Sequence, residues 1–164
     1  MAEYNHIFHT FEPVYDSNSN ILILGSFPSV KSREQGFYYG HPQNRFWKVI
    51  AAVLDWNEPV TIEEKKEMLL QNHIAVWDVI DNCDIKGSSD SSIKNVIPTD
   101  IPGLLKKTDI KRIYANGQTS GKLYHRYLKE KTGMEITILP STSPANAACS
   151  LQDLIKQYSQ LICN

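Results

Sequence analysis

Four short apolar runs divide this chain, and the segments between them repeat their apolar positions at helical spacing. Ile21-Leu22-Ile23-Leu24 ends at Gly25, as a strand buried on both faces would. Ile74 to Trp77, Arg112 to Ala115 and Ile136 to Leu139 read as three further strands, the last stopped by Pro140. Phe46, Trp47, Val49, Ile50, Val53 and Leu54 predict a helix. Thr61 with Glu64 forms a capping box that opens a second helix towards Asn72. A third is expected from about Gln118 to Lys131, closed by Gly133. Ser150 with Asp153 opens a last one, with Leu151, Leu154, Ile155 and Tyr158 on one face. Asp81 to Pro102 is polar and rich in Ser and Asp, and reads as a long surface excursion, with a short helix near Leu104. Residues 1–19 read as an N-terminal extension.

Strands separated by helices require crossovers, and crossovers make parallel pairs. The expected fold is therefore α/β: a three-layer α/β/α sandwich around a central, mostly parallel four-stranded sheet. The 164 residues suit one domain spanning the chain. In such sheets ligands bind beyond the carboxyl ends of the strands. That rule points to the loop after Leu24 and the loop after Leu139.

Composition narrows the class. With 41% apolar and 21% charged residues the chain matches an ordinary globular protein, and no apolar run approaches the roughly 20 residues that span a bilayer. Met1 to Phe11 lacks a basic, then apolar, signal pattern, so a cytoplasmic protein is expected. Cys83, Cys149 and Cys163 are far apart, with no CxxC, which suits a reduced compartment and no metal. A net charge of -1 argues against a protein that coats nucleic acid through many phosphate contacts. Charge is unevenly spread, however: Lys31, Arg33, Arg45 and Lys48 face Glu34 alone between positions 31 and 48. A local basic patch remains open.

The two loops carry the chemistry. The first reads Gly25-Ser26-Phe27-Pro28-Ser29, then Gly36-Phe37-Tyr38-Tyr39-Gly40-His41-Pro42-Gln43-Asn44-Arg45-Phe46-Trp47; the second reads Pro140-Ser141-Thr142-Ser143-Pro144-Ala145-Asn146. Neither is a nucleotide-phosphate loop, a GxSxG elbow or an HExxH metal site. What they offer is aromatic, amide, hydroxyl and imidazole groups. Such groups stack on a planar ring and hydrogen-bond its edge, as a pocket for a flipped base requires.

These motifs resemble the uracil-DNA glycosylase superfamily. GSFPS, GFYYGHPQNRFW and LPSTSPAN are most similar to its hypoxanthine (deoxyinosine) branch, and GFYYGHPQNRFWKVI also resembles the mismatch-specific uracil branch. The resemblance runs from about Ile21 to Leu161. It implies a glycosylase that removes deaminated bases (hypoxanthine, then uracil or xanthine) from DNA; with no lysine except Lys31 at a catalytic-looking position in the two loops, a monofunctional enzyme acting through water is expected. No cofactor, metal or membrane is implied, and the expected form is a monomer, associated with the nucleoid when bound to DNA. The mismatch-specific branch has a water-orienting Asn where this chain has Phe27, and the resemblance transfers that catalytic role to Asn44 of the HPxN segment. Tyr39 matches the base-stacking aromatic. Ser26, Phe27 and His41 would complete the base pocket, with backbone N–H groups near Ser26 and Phe27 as donors. Ser141, Thr142, Ser143, Pro144 and Asn146 match the loop that enters the duplex, and Arg45 and Lys48 would meet the DNA backbone. Ser29 stands where the family usually has Gly.

Each residue also has an ordinary structural reading. Asn44 is a good N-cap for a helix starting near Arg45. Tyr39 could be a core aromatic, and His41 a local hydrogen-bonder. Arg45 and Lys48 could form a solvated helix face, and the serines of the second loop a turn. Three classes of function remain: a glycosylase, a non-catalytic binder of damaged or single-stranded DNA, and a nucleoside hydrolase on the same fold.

Overall fold

The uninterrupted burial of Ile21, Leu22, Ile23, Leu24 and Gly25 makes β2 (Ile21–Gly25) the centre of the molecule. The structure, a computed structural model, describes residues 3–87 and 89–163. β2 pairs in parallel with β3 (Ile74–Asp78) on one side and β6 (Arg112–Asn116) on the other, and β6 pairs in parallel with β7 (Ile136–Leu139). The sheet order is β3-β2-β6-β7. Its two faces bury alternate residues of the same strands. Ile21, Ile23, Ile74 and Val76 pack with α2 (Phe46–Leu54), α3 (Ile62–Gln71) and α7 (Leu151–Tyr158). Leu22, Leu24 and Ala75 pack with α4 (Ile101–Lys107) and α5 (Gln118–Tyr127). Two-sided burial is why these strands read as continuous apolar runs. The expected three-layer sandwich with a four-stranded parallel sheet is present.

The helix ends follow local chemistry. Thr61 and Ser150 accept from the N–H groups of Glu64 and Asp153, whose carboxylates return the bond, so both capping boxes form. The helix expected from Gln118 to Lys131 breaks at Leu128, which leaves helical geometry (φ -126°) and stays buried, and a short α6 (Lys129–Thr132) follows. Gly133 then closes it with φ 69°, a left-handed conformation natural to glycine.

The polar stretch after Asp81 is not a loop. β4 (Ile80–Ile85) and β5 (Lys94–Pro98) pair antiparallel, and β1 (Asn5–Phe8), from the first 19 residues, pairs with β4 to complete a second sheet in the order β1-β4-β5. Only Ile80, Cys83 and Ile85 of β4 face inward, onto Phe27 among others. Asp81, Asn82 and Asp84 are partly exposed, and register shifts interrupt the pairing. That irregularity hid the period-2 signal. Val14 bridges to Val76 through two backbone bonds of 3.0 Å and covers the outer edge of β3. α1 (Val30–Gln35), capped by Ser29, follows the GSFPS turn.

Candidate active site

All four parallel strands end on one rim of the sheet, at Gly25, Asp78, Asn116 and Leu139. The loops leaving them enclose a cavity of about 910 Å³. Ser26 and Phe27, from the loop after β2, line it, as do Tyr39, His41 and Asn44 ahead of α2. Ser141, Thr142, Ser143, Pro144 and Asn146, from the loop after β7, line it as well. The structure thus brings together both loops that the sequence singled out, in the position the strand-end rule requires.

Asn44 sits where the two loops meet. Its Oδ1 accepts the N–H of Phe46 at 2.9 Å and the hydroxyl of Thr142 at 2.8 Å. Arg45, not Asn44, is the N-cap of α2; Asn44, one residue earlier, accepts the first helical N–H in a local turn and also lines the cavity. Thr142 is fully buried; its Oγ1 accepts from Asn116 Nδ2 at 3.0 Å, and its N–H donates to Asn116 Oδ1 at 3.0 Å. Asn116 ends β6 and had no role in the sequence reading. One chain of hydrogen bonds now joins three elements.

A second cluster forms the other wall. Asp78, at the end of β3, is 4% exposed, and its Oδ2 accepts from His9 Nε2 at 2.8 Å. Asp78 Oδ1 has no donor among the described residues, although the residue lines the cavity. It lies so close to Gly25 that a Cβ there would sit 2.4 Å from Oδ1 and 3.1 Å from the Tyr39 hydroxyl. Glycine is needed at this position for close approach, not for its dihedral freedom. The Tyr39 ring stacks on Phe46 at 4.0 Å between centroids, and Tyr39 lines the cavity. Its backbone is held at φ 53°, a rare conformation for a bulky residue. The Tyr39 hydroxyl is buried, and the Asn116 amide lies nearby without good hydrogen-bond geometry. Burial, and then the Asp78 charge, push this phenol well above its ordinary pKa, so it stays a neutral hydroxyl.

Other expected residues take more local roles. His41 Nδ1 accepts from the Gln43 N–H at 3.1 Å, which places a ring proton on Nε2. The Arg45 guanidinium donates to the carbonyls of Ser143, Asn146 and Cys149, and Arg45 N–H donates to the Thr142 carbonyl. Arg45 thereby clamps the second loop instead of presenting its charge outward. Lys48 is exposed on α2 and does not line the cavity. Asn146 Nδ2 donates to the Ser141 carbonyl at 3.0 Å, leaving Pro144 and Ala145 as the exposed tip. Lys31 lies at the rim, exposed, with its Nζ 3.6 Å from Glu34.

The sequence reading missed Asp78, Asn116 and His9. The strand-end rule, applied to all four strands and not to two, would have found the first two. No local signal marks His9, which reaches the site only because β1 leads into the second sheet.

Comparison with known proteins gives the same picture. A family model described as the uracil DNA glycosylase superfamily matches residues 12–161. A hypoxanthine DNA glycosylase from Methanosarcina acetivorans is 36% identical over 138 residues, covering 83% of this chain and 86% of that protein. One from Methanosarcina barkeri is 35% identical over 139 residues, with the same coverage. The solution NMR structure of a candidate uracil DNA glycosylase from M. acetivorans superposes with a TM-score of 0.77 at 34% identity, covering 93% of this chain and 96% of that one. With its strand-end cavity built from the motifs that this match spans, the chain belongs to the uracil DNA glycosylase superfamily.

Proposed function

We propose that this protein is a monofunctional DNA glycosylase that hydrolyses the N-glycosidic bond of hypoxanthine in DNA, with uracil or xanthine as lesser substrates. It would act in base-excision repair as a cytoplasmic monomer. The observation that carries the reading is the pairing of the Tyr39 ring with the open Asp78 Oδ1 in one cavity. Phe46 backs the ring and the ring lines the cavity, which supports its use as a stacking platform for a flipped base, a contact worth about 1–3 kcal/mol. Asp78 can only accept. Hypoxanthine in its lactam form presents N1–H, and uracil and xanthine also carry a ring N–H on that edge. Adenine and cytosine present a bare nitrogen there, and lone pairs would oppose the carboxylate. The two named relatives support hypoxanthine as the first substrate.

The reaction consumes one water. The C1′–N bond breaks with its electron pair passing to the base, the sugar passes through an oxocarbenium-like state, and water oxygen bonds to C1′. The released proton completes the neutral base. An oxocarbenium ion needs a placed water, not a strong nucleophile, so the protein's task is to hold the base out and stabilise its developing charge. His41 Nε2–H and the Asn44 amide are available donors on the cavity wall. Lys31 is exposed at the rim beside Glu34, which favours water over a lysine nucleophile.

Single-turnover incubation with oligonucleotides containing deoxyinosine, deoxyxanthosine, deoxyuridine or deoxyadenosine, followed by alkali, tests the proposal. Strand cleavage is expected to be fastest at deoxyinosine, slower at deoxyxanthosine and deoxyuridine, and absent at deoxyadenosine. Cleavage without alkali would point to a lyase, and hydrolysis of free inosine with intact oligonucleotides would replace the DNA reading by a nucleoside hydrolase.

A further inference from the structure

We infer that Asn44 acts as a hydrogen-bond donor to the departing base, and that Asn116, acting through Thr142, is the positioning residue that imposes this orientation. The inference deepens the glycosylase reading and rests on it. An amide's O and N can be exchanged by a 180° flip, so the direction of such a bond has to be argued from its partners. Here both ends are anchored by backbone N–H groups, which can only donate. Phe46 N–H faces Asn44, so the atom it meets is Oδ1. Thr142 N–H faces Asn116, so that atom is also Oδ1, and Asn116 Nδ2 is thereby turned onto Thr142 Oγ1. Thr142 Oγ1 must accept there, and its single proton goes to Asn44 Oδ1.

The two lone pairs of Asn44 Oδ1 are both engaged, by Phe46 N–H and by the Thr142 hydroxyl. What Asn44 offers the cavity is its Nδ2, which has no protein partner among the described residues. Two N–H donors cannot take a proton from water. They can meet an acceptor nitrogen or carbonyl oxygen of a base that gains negative charge as the bond breaks. Thr142 is fully buried and Asn116 ends a strand of the sheet, so the donor is held without reorganisation at the moment of reaction. Asn116 lines the same cavity, and the role inferred for it is exerted through its two bonds to Thr142.

The test compares Asn44→Ala, Asn44→Asp, Asn116→Asp and Thr142→Ser in single-turnover cleavage of deoxyinosine DNA, with DNA affinity and thermal unfolding measured alongside. Asn44→Ala should lose roughly 100- to 1,000-fold in rate, the scale of one preorganised donor. Asn44→Asp removes the N–H donors and adds an acceptor, so it should be no faster than Asn44→Ala near neutral pH. An acceptor role for Asn44 predicts the opposite, with Asn44→Asp close to or above the wild-type rate, and that result overturns the inference. Asn116→Asp cannot donate to Thr142 Oγ1, so it should slow the chemical step at unchanged DNA affinity, while Thr142→Ser, which keeps the hydroxyl, should retain most of the rate. A wild-type rate in Asn116→Asp removes the positioning role. If Asn116→Asp is unfolded, the comparison of Asn44→Asp with Asn44→Ala still decides the donor assignment. Failure of the wild-type protein to cleave deoxyinosine DNA overturns the glycosylase reading itself and is distinguishable from every variant result.

Discussion

On one side of the cavity Asn44, Thr142 and Asn116 satisfy one another's acceptors; on the other, Asp78 and Tyr39, with His9 bonded to Asp78 but not lining the cavity, leave polar atoms without partners. Each wall contains one parallel-strand end, Asn116 or Asp78, and one buried polar residue, Thr142 or Asp78, so burial does not separate them. In the neutral wall each bond fixes the direction of the next and turns Asn44 Nδ2 to the cavity. The charged wall keeps an unpaired Asp78 Oδ1, a buried Tyr39 hydroxyl and a buried His9 Nδ1. Unpaired buried polar groups carry a desolvation cost of about 1–3 kcal/mol each. A ligand that supplies the missing partner recovers it, so the neutral wall suits positioning and the charged wall suits recognition.

Substitutions on the two walls should therefore fail in different ways. The largest loss is expected on the neutral wall. Asn44→Ala should lower the single-turnover rate by about 2.7–4 kcal/mol of barrier while gel-shift affinity for deoxyinosine DNA survives. Equal losses of rate and affinity would make Asn44 a binding group and remove the contrast.

On the charged wall, Asp78→Asn should turn preference as well as rate. The His9 Nε2–H holds the side-chain oxygen, so the new amide would face the cavity with a donor. Cleavage at deoxyinosine should fall about 10- to 100-fold, the worth of a hydrogen bond to a charged group, and discrimination against deoxyadenosine should narrow. Unchanged discrimination, measured on the same oligonucleotide pair, would take Asp78 out of base recognition.

Tyr39→Ala should cost about 1–3 kcal/mol in binding of a flipped base, whereas Tyr39→Phe, which removes only the unpaired hydroxyl, should be mild or slightly stabilising. If calorimetric stability and activity fall equally in Tyr39→Ala, the ring belongs to the Phe46 stack and not to the site. The exposed tip next to Arg45's clamp gives a smaller and graded effect. Ser143→Gly with Pro144→Ala loosens the loop, and loss should be greatest on paired duplex, less on mismatched duplex and least on single strands, because extrusion costs least where pairing is already weak. A uniform loss would mean direct contact with the base or the backbone.

The smallest expected signal comes from behind the charged wall. Burial, then the neighbouring Asp84, raise the Cys83 thiol from 9.0 to about 11, with Arg33 opposing. Since the folded value is the higher one, this thiol's contribution to stability is complete below pH 9.0 and fades as pH rises through about 11. Native alkylation at pH 8 should accordingly label the exposed Cys163 and spare Cys83 until the protein is unfolded.

Local sequence was sufficient wherever one stretch of chain carried its own instruction. The parallel strands were legible as short apolar runs, continuous in β2 and β3 because both faces are buried there, and the capping boxes at Thr61 and Ser150 because each is closed within four residues. The loops with Tyr39, Asn44 and Thr142 could be found because a parallel sheet gathers its strand ends on one rim. The second sheet could not be read, since its strands are short, irregular and polar on one side, and pair across long separations such as Phe8 with Asn82. The same distance hid the division of labour around the cavity. Whether Arg45 meets phosphate or clamps a loop depends on carbonyls about a hundred positions away, and which face Asn44 shows the cavity depends on a hydroxyl from the other loop. His9 becomes the partner of Asp78 only when β1 joins β4. Residue types at strand ends follow from local pattern, but the direction of a hydrogen bond belongs to the pair, and the pair exists only once the chain has folded.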